Sequence, residues 1–229
     1  MVGPSSSHTA GACRLALLAR YALRTPPTSA TLTLHGSFAK TAKGHGTDRA
    51  LAAGLLGYSP DDARIPDALE RAAQAGLALS FATKDLGDVH PNTVRFSLFT
   101  PDEQLELLGS SLGGGLVRVS RVDGFELNFS GAHHTLLIRH TDRPGVIATV
   151  ARVLADDAVN IATLHCARGN SAGKRGGAAM MSLELEEAPR GHVLEYLTQL
   201  SAVNWLRLLP EVMRGNAPQA SRLEGSAPE

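Results

Sequence analysis

Aromatic residues make up only 4% of the 229-residue chain, which has two cysteines and a single tryptophan. With so few rings, helix packing has to lean on Leu, Val and Ala. Cys13 and Cys166 cannot build a disulfide framework, and their scarcity suits a reducing compartment. They are also too few for a structural zinc site or an iron–sulfur cluster. Charge of one sign is missing as well, with 22 basic against 22 acidic side chains. No run of Lys and Arg creates a basic field locally, which argues against a nucleic-acid partner. The longest apolar stretches are far short of a bilayer span, so no membrane-crossing segment is expected. The opening MVGPSSSHTAGA has no basic region ahead of an apolar one, the mark of a secretory signal. These absences predict a cytoplasmic protein whose metal chemistry, if it has any, comes from elsewhere.

What remains is globular in kind: 43% apolar and 19% charged residues, at a length that fits one large or two small domains. The pattern divides near Ser130-Gly131-Ala132, small residues that read as a linker. Residues 1–130 form a first domain in which strands interleave with helices. CRLALLARYAL, DRALAAGLLG and DALERAAQAG read as helices; ATLTLHGSF, LALSF, VRFSLF, LVRVS and FELNF read as strands. Residues 134–212 read as βαββαβ. In this second segment HTLLIRH, IATLHCAR, SLELE and WLRLL are strands, with helical stripes at Val146, Val150, Val153, Leu154 and at Val193, Leu194, Leu197, Leu200. Asp142 is the expected cap of the first of these helices, Asn160 its end, and SLELE a half-exposed strand. The tail 215–229 is rich in Pro, Ala, Ser and Gly and is expected to be disordered. The fold class is therefore α+β, a mixed α/β layered N-terminal domain followed by a ferredoxin-like βαββαβ domain.

Four places could carry chemistry. Ser5, Ser6, Ser7, His8 and Thr9 stand directly before a helix, where free amides, hydroxyls and an imidazole suit a carboxylate or phosphate. A single Ser capping the helix is the plainer alternative. Lys43-Gly44-His45-Gly46-Thr47-Asp48 flanks a histidine with two glycines, which suits an imidazole presented to a ligand as general acid or base. It equally suits a loop in which Thr47 or Asp48 merely caps the next helix. Pro91 forces His90 out of the helical region, and Asn92 follows; read alone, this is a turn with a solvated histidine. Gly113, Gly114 and Gly115 mark a bulge or a close backbone approach. His35, His140 and His165 read as structural, and His133, His134 and His192 as solvated. Residues 169–175 lack the spacing and the Ser or Thr of a phosphate-binding P-loop.

Together GPSSSHTAG, KGHGTD, the HPN loop before VRF and the SLGGG run resemble the beta subunit of iron–sulfur L-serine dehydratases. DRPGVIATVARVLADDAVNIATL is similar to ACT domains, the amino-acid-sensing βαββαβ modules. The family usually has a short strand before its first motif, whereas this chain begins almost inside it. The resemblance implies conversion of L-serine to pyruvate and ammonia, with a separate alpha subunit holding a [4Fe-4S] cluster. It implies that Ser5, Ser6, Ser7, His8 and Thr9 cradle the serine carboxylate and that Asn92, Gly113, Gly114 and Gly115 line the same cavity. His45 and His90 fall on its active-site histidines, His45 as the base. Gly145 and Asn160 fall where ACT domains bind an amino-acid effector across a homodimer interface. The chemistry agrees, since expelling hydroxide while breaking a Cα–H bond needs a Lewis acid or electron sink. About 130 residues outside the ACT-like part leave no room for a typical pyridoxal-phosphate fold. The competing reading is a non-catalytic ACT-containing sensor, or a regulatory piece related to phosphoglycerate dehydrogenase.

Overall fold

The computed structural model describes residues 7–41, 46–169 and 177–213. A single π-helical turn, Ser7–Gly11, runs straight into helix α1 (Ala12–Ala22). Strand β1 (Ser29–Leu34), helices α2 (Gly36–Thr41), α3 (Thr47–Leu55) and α4 (Ala68–Gln74), and strand β2 (Ala78–Thr83) form a parallel crossover unit. An antiparallel meander follows: β3 (Thr93–Phe99), β4 (Gln104–Gly113), β5 (Leu116–Val122) and β6 (Phe125–Phe129). The six strands make one sheet in the order β2-β1-β3-β4-β5-β6.

Local sequence explains most of these bounds. Ala30, Leu32 and Leu34 alternate with half-exposed partners in β1 and put their side chains into the core. The expected strand ATLTLHGSF stops at Leu34, because Gly36 takes φ +54° and turns the chain into α2. Helix α1 is buried almost all round by Leu15, Leu17, Leu18 and its alanines. Against it α3 packs so closely that a Cβ at Gly54 would lie 2.3 Å from the Cys13 carbonyl. Small residues therefore do the work that few aromatics leave undone.

The second segment is the expected split pair of βαβ units. Strands β7 (His134–Thr141), β8 (Ile161–Arg168), β9 (Ala178–Leu185) and β10 (Val203–Leu209) form an antiparallel sheet ordered β10-β7-β9-β8. Helices α5 (Val146–Asp156) and α6 (Gly191–Gln199) cover one face through Val146, Val150, Leu154, Val193 and Leu197. The opposite face joins the first core, where Leu137, Met180 and Leu209 meet Phe125, Leu127 and Phe129. This two-sided cover corrects the reading of SLELE as half-exposed, since β9 is buried from Ala179 to Leu185. Even Glu184 is 8% exposed. It accepts hydrogen bonds from the Ser130 N–H and hydroxyl and from Thr163. Burial opposes its charge, but these bonds outweigh burial and hold its pKa below the usual value.

Three cap assignments also change. Gly145, at φ +91°, precedes α5, while Asp142 pairs with Arg168 at 2.7 Å. That helix ends at Asp156 rather than Asn160. Gly46, at φ +70°, precedes α3, so neither Thr47 nor Asp48 caps it. Among the described residues no helix is long and apolar enough to cross a membrane.

Candidate functional site

The Ser7–Gly11 turn packs against β4, β5 and α3 and becomes the centre of a polar cluster. Its closeness to β4 is set by glycine: a Cβ at Gly11 would fall 2.0 Å from Ser111 Oγ. The His8 ring meets Phe38 edge to face at 5.5 Å, and its Nε2 lies 3.2 Å from Ser37 Oγ. Both partners belong to α2, which holds the HPN loop on its other side. There the Ser37 N–H donates to the Pro91 carbonyl at 2.8 Å. A Cβ at Gly36 would lie 2.6 Å from that same oxygen. The loop then reaches back to β4, where the Asn92 carbonyl accepts from the Ser111 N–H at 2.9 Å.

The structure thus brings together Ser7, His8, Thr9 and Asn92, and adds the glycine loop. Gly113, Gly114 and Gly115 have φ of +104°, +60° and +81°, three successive left-handed residues that only glycine adopts readily. A Cβ at Gly113 would be 3.9 Å from Ser7 Oγ. His90 lies on the exposed rim of the cluster. Its Nδ1 accepts the Asn92 N–H at 3.1 Å. Ser5, Ser6 and His45 lie outside the described residues, as do most of residues 169–175; His45 immediately precedes Gly46 at the start of α3.

The cluster is polar, buried and unsatisfied. Thr9 Oγ1, Thr47 Oγ1, Asn92 Oδ1 and Ser111 Oγ are shielded from solvent without a hydrogen-bond partner among the described residues. Such groups are rare, and each costs about 1–3 kcal/mol when left unpaired. Thr47 and Ser111 stand in the KGHGTD and SLGGG runs, but the sequence alone assigns neither a place in the site. Thr47 was assigned to capping, and Ser111 was overshadowed by the glycines that follow it, although the SS pair ahead of GGG is the signal that marks it.

Among the described residues no group of three or more His, Cys, Asp or Glu is placed to hold a metal. Burial pushes the Cys13 thiol up to about 12, and its Sγ donates to the Tyr58 carbonyl at 3.2 Å. Burial also raises Cys166, which sits 3.7 Å from His140 Nε2 on the second sheet. His140 is buried and His35 Nδ1 accepts the Leu86 N–H, as structural histidines do, whereas His165 is exposed. In the second segment Gly145 borders a groove of about 1080 Å³ with Thr149, Arg152, Arg190 and Tyr196. Asn160 does not line it, and its carbonyl accepts the Glu186 N–H.

An α+β chain with a serine- and glycine-built polar cluster and a following βαββαβ domain defines a two-part architecture. The family described as serine dehydratase beta chain matches residues 1–78, and the ACT domain matches residues 134–202. A Bacillus subtilis protein, "Probable L-serine dehydratase, beta chain", is 40% identical over 87% of this chain and 89% of its own length. The "L-serine dehydratase, beta chain" of Peptoniphilus asaccharolyticus is 45% identical over 72% and 75%. A D-3-phosphoglycerate dehydrogenase of Bacillus subtilis is 30% identical over 40% of this chain and 17% of that protein. The chain belongs to the serine dehydratase beta chain family and has a C-terminal ACT domain.

Proposed function

We propose that this chain is the beta subunit of a cytoplasmic L-serine dehydratase, supplying substrate-binding and proton-transfer groups to an alpha subunit that holds a [4Fe-4S] cluster. The observation that carries this reading is the set of four buried, unpaired oxygens around the Ser7–Gly11 turn. Polar atoms left unsatisfied among the described residues are what a bound ligand or partner would complete. The chain's own thiols do not fit the cluster. Cys13 is a buried neutral thiol bonded to a carbonyl, and Cys166 lies in the ACT domain. Activation of the leaving hydroxyl is therefore assigned to the alpha subunit.

In this reading the hydroxyls of Ser5, Ser6, Ser7 and Thr9, with His8, bind the serine carboxylate, and Asn92, Gly113, Gly114 and Gly115 line the cavity. His45 takes the Cα proton. The hydrogen bond from the Asn92 N–H occupies His90 Nδ1, which leaves the proton of the neutral ring on Nε2. His90 is assigned proton transfer alongside His45. Loss of water gives 2-aminoacrylate, which tautomerises to the imine; hydrolysis of the imine takes a water back up and releases ammonia and pyruvate, with no net redox change. The ACT domain is assigned amino-acid-responsive regulation, with Gly145 and Asn160 holding the effector across a homodimer.

The test is anaerobic mixing of the purified chain with its alpha subunit, followed by a pyruvate assay with L-serine. Activity in the mixture and none in either chain alone is the expected result. Pyruvate from this chain alone, free of metal, overturns the two-subunit reading. A second reading, a serine-binding sensor without catalysis, draws on the similarity to D-3-phosphoglycerate dehydrogenases. It predicts serine binding with no turnover under any pairing.

A further inference from the structure

Gly113, Gly114 and Gly115 form the tight turn of the β4–β5 hairpin, in which Gly113 pairs with Leu116. Three successive residues without side chains carry more backbone freedom than any other tripeptide, and fixing each costs about 1–2 kcal/mol. Beyond that pairing, a further anchor comes from α1. Arg14 Nη1 donates to the Gly115 carbonyl at 2.7 Å, from a residue 101 positions away in sequence. The fit is tight, since a Cβ at Gly115 would lie 2.3 Å from the same nitrogen. Nη2 of the same guanidinium donates to the Met213 carbonyl at 3.4 Å, on the segment that leaves the ACT domain after β10. That segment is anchored by Val212, which is 4% exposed and donates its N–H to the Gly131 carbonyl.

Arg14 is an unusual arginine. Among the described residues its ion pairs with carboxylates number none, and its fork is spent on two backbone carbonyls. Its Nε is buried and unpaired. Burying a guanidinium against neutral acceptors costs stability, and burial lowers its pKa accordingly. A half-buried position in the first turn of α1 needs no such group for packing. A planar fork, by contrast, fixes two carbonyls at once, which a lysine cannot do.

We propose that Arg14 is a positioning residue for substrate binding: it holds the glycine loop beside Ser7 in its binding geometry and ties that loop to the chain leaving the ACT domain. The proposal rests on the reading of Gly113, Gly114 and Gly115 as substrate-lining. Arg14 itself touches no substrate. It acts by removing loop freedom before serine arrives, so its loss is felt in binding.

The test uses Arg14→Lys and Arg14→Ala in the full chain, alone and assembled with the alpha subunit. In the isolated chain, amide hydrogen exchange at residues 112–117 should speed up at least 10-fold in Arg14→Ala and less in Arg14→Lys, while exchange in β3 stays as in the wild type. In the assembly, KM for L-serine should rise about 10-fold in Arg14→Ala with kcat changed less than 3-fold, and Arg14→Lys should fall between. Unchanged exchange at the loop overturns the clamp. A fall in kcat with KM unchanged overturns the positioning role. Faster exchange across β3 as well means Arg14 is merely structural, which also overturns it. If the wild-type assembly makes no pyruvate, the dehydratase reading fails and the substrate half of this proposal fails with it, while loop exchange still decides the clamp.

Discussion

Glu103 accepts a hydrogen bond from Trp205 Nε1 at 2.9 Å, a contact between the β3–β4 turn of the first sheet and the last strand of the ACT domain. The same oxygen accepts from Arg207 Nη2 at 2.8 Å, and the other oxygen from the Arg24 N–H. Arg207 also lies over the indole, 4.8 Å from its centroid. One carboxylate thus joins α1's C-terminal loop, the first sheet and the second sheet. Burial opposes its charge, yet the bonds from Trp205, Arg24 and Arg207 outweigh burial and lower its pKa. Because the folded value lies below the unfolded one, the contribution is complete above the ordinary carboxylate range. It is lost as pH falls through the folded value.

Trp205 is the chain's single tryptophan, so the contact reports on itself. Fluorescence should be steady from neutral pH down to the usual carboxylate range and change only below it. Glu103→Gln should abolish that transition and cost roughly 1–2 kcal/mol in urea unfolding at pH 7, the range for hydrogen bonds to charged groups. A transition that survives in Glu103→Gln would assign it to another group.

Little of this joint could be read from the sequence. The elements of the ACT domain were legible because apolar residues recur at clean helical and strand periods within short windows. Strand β4 was not read, because its alternation fails where the register shifts at Leu108 and Gly109 and again between Ser111 and Gly113. Burial of β9 on both faces was equally hidden, since β6, which covers its second face, is some fifty residues earlier. The motifs of the candidate site could be seen singly, and the structure adds what joins them. Phe38 and Ser37 on α2 connect His8 to the HPN loop, and Ser111 connects that loop to the Ser7–Gly11 turn.

Gly54 tests the close packing of α1 on α3. A methyl group there would meet the Cys13 carbonyl at 2.3 Å and Ala16 Cβ at 2.6 Å, and backbone cannot step aside as a flexible side chain can. Gly54→Ala should therefore destabilise the chain by about 1–3 kcal/mol, although alanine is the better helix former. Gly76→Ala, where a Cβ meets nothing within 4 Å, should lose only the cost of its positive φ. Equal losses at the two sites would mean that the helices separate freely.

His45 and His90 test the proton-transfer assignment. In the assembled enzyme, His45→Ala or His90→Ala should lower kcat about 10²–10⁴-fold, the usual share of a general acid or base. His35→Ala should instead act on stability, because His35 Nδ1 accepts the Leu86 N–H and lies 3.5 Å from Asp85. If His90→Ala keeps its kcat and shifts only the serine concentration needed for half-maximal rate, His90 binds serine without moving a proton.

Gly145 tests the effector site. At φ +91° it begins the turn into α5, and a Cβ added there meets nothing within 4 Å among the described residues. Gly145→Val therefore costs backbone strain of about 1–3 kcal/mol without a steric clash in the isolated fold. In a homodimer with an amino acid bound at the start of α5, the valine would occupy the space of the ligand, whose carboxylate would otherwise accept the free amides of that helix end. The dependence of rate on L-serine in the assembled enzyme should be cooperative in the wild type and lose that cooperativity in Gly145→Val. Asn160→Ala, which leaves the turn at Gly145 untouched, should move the same curve in the same direction. Cooperativity retained in both variants would place the effector elsewhere, and cooperativity lost only in Gly145→Val would trace to the strained turn rather than to a ligand.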